Sequence, residues 1–277
     1  MPDRELVSAH YTHGRLVDAI AAGIVQLGKT TASVTVEDLG PVDEFHVGGR
    51  VATEAFLDQL DIAAEHRVLD VGCGLGGASR FAAARYGCRV TGVDLTPEYV
   101  ATGNTLCAWV GLGERVTLEV GDATALDIAD ASFDRAFVMH VGMNIADKAA
   151  LAAELFRVLR PGGMAGIYDV MLTGDGDLAY PVPWAASAAG SALATPAAYR
   201  AALTRAGFAI LAERNRRDFA VEFFARLKAR SDQGGGPPPL GIHLLMGDSA
   251  PLKVKNMIDN IAANRVAPVE LVAEKPA

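Results

Sequence analysis

The densest chemistry in this 277-residue chain lies in Val68-Leu-Asp-Val-Gly-Cys-Gly-Leu-Gly-Gly-Ala-Ser79, where an apolar run breaks into glycines and then a helical pattern. Gly72, Gly74 and Gly76 remove the β-carbons that would keep a backbone away from a ligand, and they permit the positive φ angles of a tight strand-to-helix turn. Gly72, Gly74 and Gly77 also fit the dinucleotide fingerprint, so the loop by itself leaves NAD and other adenosine cofactors open. Asp70, two residues before the first glycine, sets a carboxylate at a strand end, where it calls for a ligand amine or backbone donors. Asp94 ends the next apolar run, and a carboxylate there accepts from both hydroxyls of a ribose. Gly121-Asp122-Ala123 places a carboxylate beside a backbone N–H, the pair that holds an adenine's amine and ring nitrogen, or else an ordinary turn aspartate. His140 follows a fourth apolar run and reads either as a general base near neutral pH or as a pocket wall.

These residues need strands to carry them. The pattern predicts strands at 68–71, 89–93, 116–120, 133–139 and 164–170, with helices at 76–86, 97–110 and 148–159 between them. Such alternation implies right-handed crossovers and a parallel sheet covered on both faces, with ligands at the carboxyl ends of its strands. A helix over 196–206, a strand over 208–213, a helix near 219–229, a last helix over 250–263 and a strand over 267–273 follow. The fold class is therefore α/β, a Rossmann-like, doubly wound sheet with helices on both faces. Residues 1–50 read as an N-terminal helical cap, helical to Leu27 and then a Thr-rich acidic connector, with a loop that covers the cofactor. Residues 51–277 read as the main domain, with lid segments near 172–195 and 233–264. The latter includes the Gly234-Gly-Gly-Pro-Pro-Pro239 linker.

Composition narrows the partners. A net charge of −8 disfavours nucleic acid and anionic membrane surfaces, and points to a small-molecule substrate. No apolar run is long enough to span a bilayer and no signal peptide opens the chain, so the expected location is cytoplasmic. Cys73, Cys88 and Cys107 show no C-x-x-C spacing, which argues against a disulfide framework and a zinc site; no metal is expected. A homodimer is one option for assembly.

With Phe133-Asp134 opening a strand and Leu159-Arg-Pro-Gly-Gly163 ending a helix, the ordered set resembles the class I S-adenosylmethionine-dependent methyltransferases from about Val47 to Glu213. The resemblance implies a seven-stranded sheet whose last strand runs antiparallel between two neighbours, and S-adenosyl-L-methionine as cofactor. It implies that Asp70 and the glycines hold the methionine part, Asp94 with Leu95 the ribose, and Asp122 with Ala123 the adenine. An NAD enzyme would instead seat a pyrophosphate on its glycines. Asp43-Glu-Phe-His-Val-Gly-Gly49 followed by Thr53 looks like the cofactor-covering loop of small-molecule methyltransferases related to the phosphoethanolamine and sarcosine/dimethylglycine enzymes. This brings Gly48 and Gly49 into the cofactor set. Those relatives carry a His shortly before an Asp-Lys pair. Here Asp147-Lys148 is present, Asn144 stands near the His position, and His140 comes earlier.

Methyl transfer from a sulfonium is an in-line displacement, so the protein chiefly positions a lone pair against the methyl carbon. His140 is the leading base, touching cofactor as well. Tyr11, on the cap, closes over the cofactor and orients an acceptor, or belongs to an ordinary helix. His46 reads as a backbone-fixing side chain in preference to a catalyst. Substrate contacts are expected from Asn144, Asp169, Tyr180, Trp184 and His243, with Asp169 equally readable as the cap of a turn. The aromatics would suit a methylammonium by cation–π contact. The expected function is methyl transfer to a small-molecule acceptor at N, O, C or S, with a small amine favoured. The alternative is a cofactor-binding protein of the same fold with no transferase activity or a non-methylating reaction.

Overall fold

The computed structural model describes residues 11, 12, 14–232 and 238–277. The beginning of the expected cap helix, His13 and most of the Gly-Pro linker lie outside them. Before the sheet stand helices α1 (Leu16–Gln26), α2 (Val36–Asp43) and α3 (Gly49–Leu57). The last two correct the reading of this stretch as a connector and loop. Pro41 interrupts the periodicity of an 8-residue helix, and the surviving signal is a capping box. In it the Thr35 hydroxyl accepts from the Asp38 N–H, and the Asp38 carboxylate accepts from the Thr35 N–H at 2.8 Å.

The alternation then runs β1 (Arg67–Val71), α4 (Gly77–Tyr86), β2 (Arg89–Asp94), α5 (Pro97–Trp109), β3 (Val116–Val120), β4 (Phe133–Met139), α6 (Lys148–Val158) and β5 (Leu159–Leu172). It continues with α7 (Pro196–Ala206), β6 (Ala209–Asn215), α8 (Arg217–Asp232), a helical turn at His243–Met246, α9 (Ala250–Ala262) and β7 (Val266–Glu274). The seven strands lie in the order β3-β2-β1-β4-β5-β7-β6, and β7 runs antiparallel to both of its neighbours, as the resemblance implies. The strands open in both directions from β1 and β4, so their carboxyl ends diverge and leave a crevice there.

Period-2 alternation sorts the sheet's side chains into two cores. Leu69, Ala136, Val138, Ile167 and Leu271 face Leu151, Leu155 and Leu203 of α6 and α7. Val68, Val90, Phe137, Tyr168 and Val272 face Phe56, Ala82 and Cys107 of α3, α4 and α5. Fully buried aliphatic and aromatic side chains such as Leu69 and Phe137 each contribute about 1.5–3 kcal/mol by leaving water. The 172–195 segment does not stand away from the body as a lid. Val182 and Trp184 are buried with Met257 and Ile261 of α9, Asn256 donates to the Pro181 carbonyl at 2.9 Å, and Asn260 pairs with both backbone groups of Ala179.

A fully buried ion pair joins α2 to α4, the helix that follows β1. Arg80 on α4 is fully buried and donates to Asp43 at 2.6 Å, to the Leu75 carbonyl at 2.7 Å and to the Gly103 carbonyl at 3.2 Å. Gly77 permits this approach, because a β-carbon there would stand 2.5 Å from the Asp43 side chain. A buried charge stripped of its partner is strongly destabilising, whereas removing both charges is much less so. Asp43→Asn is therefore expected to lower the unfolding free energy by about 3–5 kcal/mol in urea titrations, and Asp43→Asn/Arg80→Met by less. A double variant at least as unstable as the single one would show that packing, not charge pairing, holds α2 in place.

Candidate active site

Two cavities open at the carboxyl ends of the strands. The smaller, of about 250 Å³, is lined by Gly72, Gly74, Asp94, Leu95, Thr96, Asp122, Ala123, Val141 and Asn144 among others. Gly72, at φ +75°, brings the turn after β1 against Val141, where a β-carbon would fall 2.2 Å from a Val141 methyl. The Asp94 oxygens accept from the Gly74 N–H at 2.9 Å and the Thr96 N–H at 2.8 Å. A carboxylate offers about four lone-pair sites, so acceptor capacity exists beyond these two bonds. Burial raises the Asp94 pKa despite these donors. Asp122 is turned by the Thr124 N–H at 2.8 Å and the Thr124 hydroxyl at 2.7 Å, and lies across the same cavity from the glycine turn. Two carboxylates on successive strand ends, at β2 and β3, beside the glycine turn that follows β1, fit an adenosine-bearing cofactor.

The floor between β4 and α6 is fixed by buried polar groups. Asp169 accepts from the Val141 N–H at 2.8 Å, the Gly142 N–H at 3.1 Å and the Tyr199 hydroxyl at 3.0 Å. Burial pushes its pKa up to about 6 against these bonds. Lys148 donates to the carbonyls of Gly142 and Ala192, at 2.8 and 2.7 Å, and to that of Ile145, and burial brings its pKa down to about 8. Asn144 on this turn donates to the Tyr11 hydroxyl at 3.1 Å, and burial drives that phenol up to about 12.

The larger cavity, of about 860 Å³, adjoins the first along Tyr11 and Phe45, which line both. Its wall is chiefly apolar: Phe81, Met143, Trp184, Phe223, Phe224, Leu227, Ile242, Met246, Val254 and Met257. The polar exceptions include His46, His140 and His243. His140 has φ +55°, an uncommon conformation for a side chain with a β-carbon, and its Nε2 is sealed from solvent with no hydrogen-bond partner. Burial, and then His46 nearby, hold its pKa well below the usual imidazole value. The His140 ring lies 5.1 Å from that of Tyr168 and 5.9 Å from that of His46.

Of the residues singled out from sequence, Tyr11, Gly72, Gly74, Asp94, Leu95, Asp122, Ala123 and Asn144 line the smaller cavity, and Tyr11, Gly49, His140, Trp184 and His243 the larger. The rest fall elsewhere. Asp169, expected at the substrate, lines neither cavity; its carboxylate accepts from the 141–142 backbone and from Tyr199. Tyr180 packs in the apolar cluster under α9. Gly48 sits against Phe219, Gly76 against Leu118, and Asp70 is buried on the Ser79 hydroxyl at 2.6 Å. Sequence reasoning passes over Phe45, Thr96 and Tyr99, which also line the smaller cavity, and gives no partner to His46. Among the described residues no group of three or more His, Cys, Asp or Glu side chains is arranged for a metal ion, and no helix is long and apolar enough to cross a membrane.

A methyltransferase-domain family model matches residues 68–163, the segment from β1 to the turn in β5. Methyltransferase GfsG of Streptomyces halstedii is 34% identical over 137 residues, which is 50% of this chain and 49% of that protein. The chain thus spans about half the length of this curated relative, and less of the other first matches. The phosphoethanolamine N-methyltransferase 2 of Haemonchus contortus, solved with S-adenosyl-L-methionine, superposes with a TM-score of 0.71 at 23% identity, over 88% of this chain and 58% of that one. The [4+2]-cyclase SpnF superposes with a TM-score of 0.70 at 22% identity, over 100% of this chain and 98% of that one. The chain has the fold of the class I S-adenosylmethionine-dependent methyltransferases, and S-adenosylmethionine is the cofactor of that fold class.

Asp70 carries a test of how the turn is held. Burial lifts its pKa from 3.8 to about 7, above the unfolded value, so its contribution to stability is complete below pH about 4 and is lost as the pH rises towards 7. Asp70→Asn keeps an acceptor for Ser79 and cannot ionise. In urea titrations of the free protein, the variant should match the parent near pH 4 and exceed it at pH 8. A gap that widens on acidification would reverse this assignment.

Proposed function

We propose that the chain is an S-adenosylmethionine-dependent methyltransferase acting on a bulky, largely apolar small molecule. The observation that carries this reading is the adjacency of the two cavities. One is built for an adenosine cofactor; the other is large and walled by aromatic and aliphatic side chains, and both meet at Tyr11 and Phe45.

Asp94 would hold the ribose, Asp122 with Ala123 the adenine, and the Gly72–Gly74 turn the methionine end. Bound there, S-adenosylmethionine supplies an electrophilic methyl carbon with a neutral thioether as leaving group. The chain's own task is positioning and exclusion of water. The turn from Val141 to Ile145, pinned by Asp169 and Lys148, forms the rigid floor between cavities, and the Tyr11–Asn144 hydrogen bond closes the N-terminal segment over the cofactor side. Burial of apolar acceptor surface supplies binding at about 25 cal/mol per Å² before the costs of association. A small hydrophilic amine would leave most of the large cavity unfilled, so the lining supports an apolar acceptor over the amine suggested by sequence resemblance.

Calorimetry should detect binding of S-adenosylmethionine and its demethylated product, and no binding of NAD. Asp94→Ala should weaken cofactor binding by about 1.5–3 kcal/mol, roughly ten- to a hundredfold, through loss of charge-assisted hydrogen bonds. Binding of NAD alone would overturn the reading.

A screen that follows S-adenosylhomocysteine release should find turnover with apolar phenols, enols or terpenoids and not with small amines. Val254→Trp, which fills part of the large cavity, should depress that turnover and leave cofactor affinity unchanged. Release confined to small amines, or cofactor binding with an apolar acceptor transformed but not methylated, would replace this assignment with another reaction on the same fold.

A further inference from the structure

At the edge of the large cavity, Glu44, His46 and Thr53 form a hydrogen-bonded group that cofactor binding does not use. His46 Nε2 lies 3.2 Å from the Gly49 carbonyl, 2.9 Å from the Thr53 hydroxyl and 3.2 Å from a Glu44 carboxylate oxygen. A carbonyl and a carboxylate only accept, so Nε2 carries the proton. The Thr53 hydroxyl spends its own hydrogen on Glu44 at 2.6 Å, which leaves its oxygen to accept from Nε2–H. The tautomer is thereby fixed, with the imidazole lone pair on Nδ1. Nδ1 has no hydrogen-bond partner among the described residues, and His46 lines the cavity. The second Glu44 oxygen is held by Arg50 Nε at 2.8 Å. A histidine oriented by a buried carboxylate on the wall of a binding cavity, with its other ring nitrogen unbonded, is the arrangement of a general base.

We propose that His46 is the catalytic base, and that the acceptor reacts through an ionisable hydroxyl, a phenol or enol on an apolar body. Glu44 and Thr53 are its positioning residues. This rests on the methyl-transfer reading. The acceptor O–H bond breaks as its proton passes to Nδ1. The oxygen's electron pair forms the new bond to the methyl carbon, while the carbon–sulfur pair stays with the departing thioether. Solvent takes the proton from His46 once the products have left.

His140 is less suited to the task. No carboxylate is bound to its ring, so a proton gained there has no counter-charge, and its Nε2 is sealed off. The two rings stand 5.9 Å apart on the wall of the large cavity, and only His46 carries a carboxylate on its ring. The groups that face His46 are Glu44, Arg50 and His140, with the Tyr168 ring at 6.3 Å. Burial keeps the His46 pKa below 6.5, more than Glu44 raises it, so the ring is neutral and able to accept at pH 7.

The first test needs no ligand. Nitrogen-15 NMR of the imidazole nitrogens in the free protein should show His46 protonated at Nε2, titrating below pH 6.5, and titrating lower still in Glu44→Gln. A proton on Nδ1 would overturn the assignment. The second test uses the apolar phenol or enol with the best turnover. His46→Asn should lower kcat roughly 10²–10⁴-fold and abolish the acidic limb of the pH profile, with the calorimetric cofactor affinity unchanged. Glu44→Gln should show a smaller loss, and His140→Asn should retain the limb. If His46→Asn keeps the parent's rate and limb, the base is wrong although methyl transfer stands. If the parent binds no S-adenosylmethionine, both readings fall.

Discussion

The guanidinium of Arg80 is the fixed point on which the rest of this architecture closes. It is a cation with no exposed surface; its two terminal nitrogens donate to the Asp43 carboxylate and to backbone carbonyls of the glycine turn and of α5, while its Nε is buried without a partner among the described residues. A buried charge of this kind tolerates few arrangements, because every alternative leaves it unpaired in a low-dielectric interior. The turn that receives the cofactor, the helix beside it and the N-terminal segment that covers it are therefore set in one mutual position. Glu44 and His46 follow Asp43 directly, so the geometry of the proposed base is inherited from the same anchor.

The second anchor lies across the crevice. Asp169 and Lys148 gather the backbone of residues 141–145 from opposite sides, one through N–H groups and the other through carbonyls. A turn so tied moves little, which suits a reaction governed by distance and direction. It also explains why two of the most conspicuous charged residues near the strand ends stay out of the cavities. Their charge is consumed in shaping the floor.

The fold is largely legible in the sequence, since strands of a parallel sheet are long apolar runs separated by helices with clear caps and stops. The antiparallel last strand follows only from family resemblance, because nothing local in Val266–Glu274 encodes its direction. Helices α2 and α3 escape the pattern because they are short, carry Pro41 and Gly49, and bury only a narrow stripe. Asp94 and Asp122, which line the smaller cavity, are legible because their place at a strand's end fixes where they point. Asp70, one pleat further back, is equally prominent in sequence and is buried on Ser79 instead. The role of Asp169 depends on partners about thirty residues away, which leave no trace in local spacing, and that of His46 on how the bend between α2 and α3 folds Glu44, Gly49 and Thr53 onto one ring nitrogen.

The walls of the larger cavity have an evolutionary consequence. Among the described residues, none of those lining it belongs to a strand; they come from α2, α3, α4, α8, α9 and the turns between elements. The smaller cavity, by contrast, draws Val93 and Asp94 from β2 itself. Replacements of the helical lining residues thus fall on surfaces whose backbone hydrogen bonds are internal to helices, where a change of side-chain volume leaves sheet register untouched. On such a scaffold the larger cavity can change its volume by single substitutions while the strand ends that frame the smaller one keep their places.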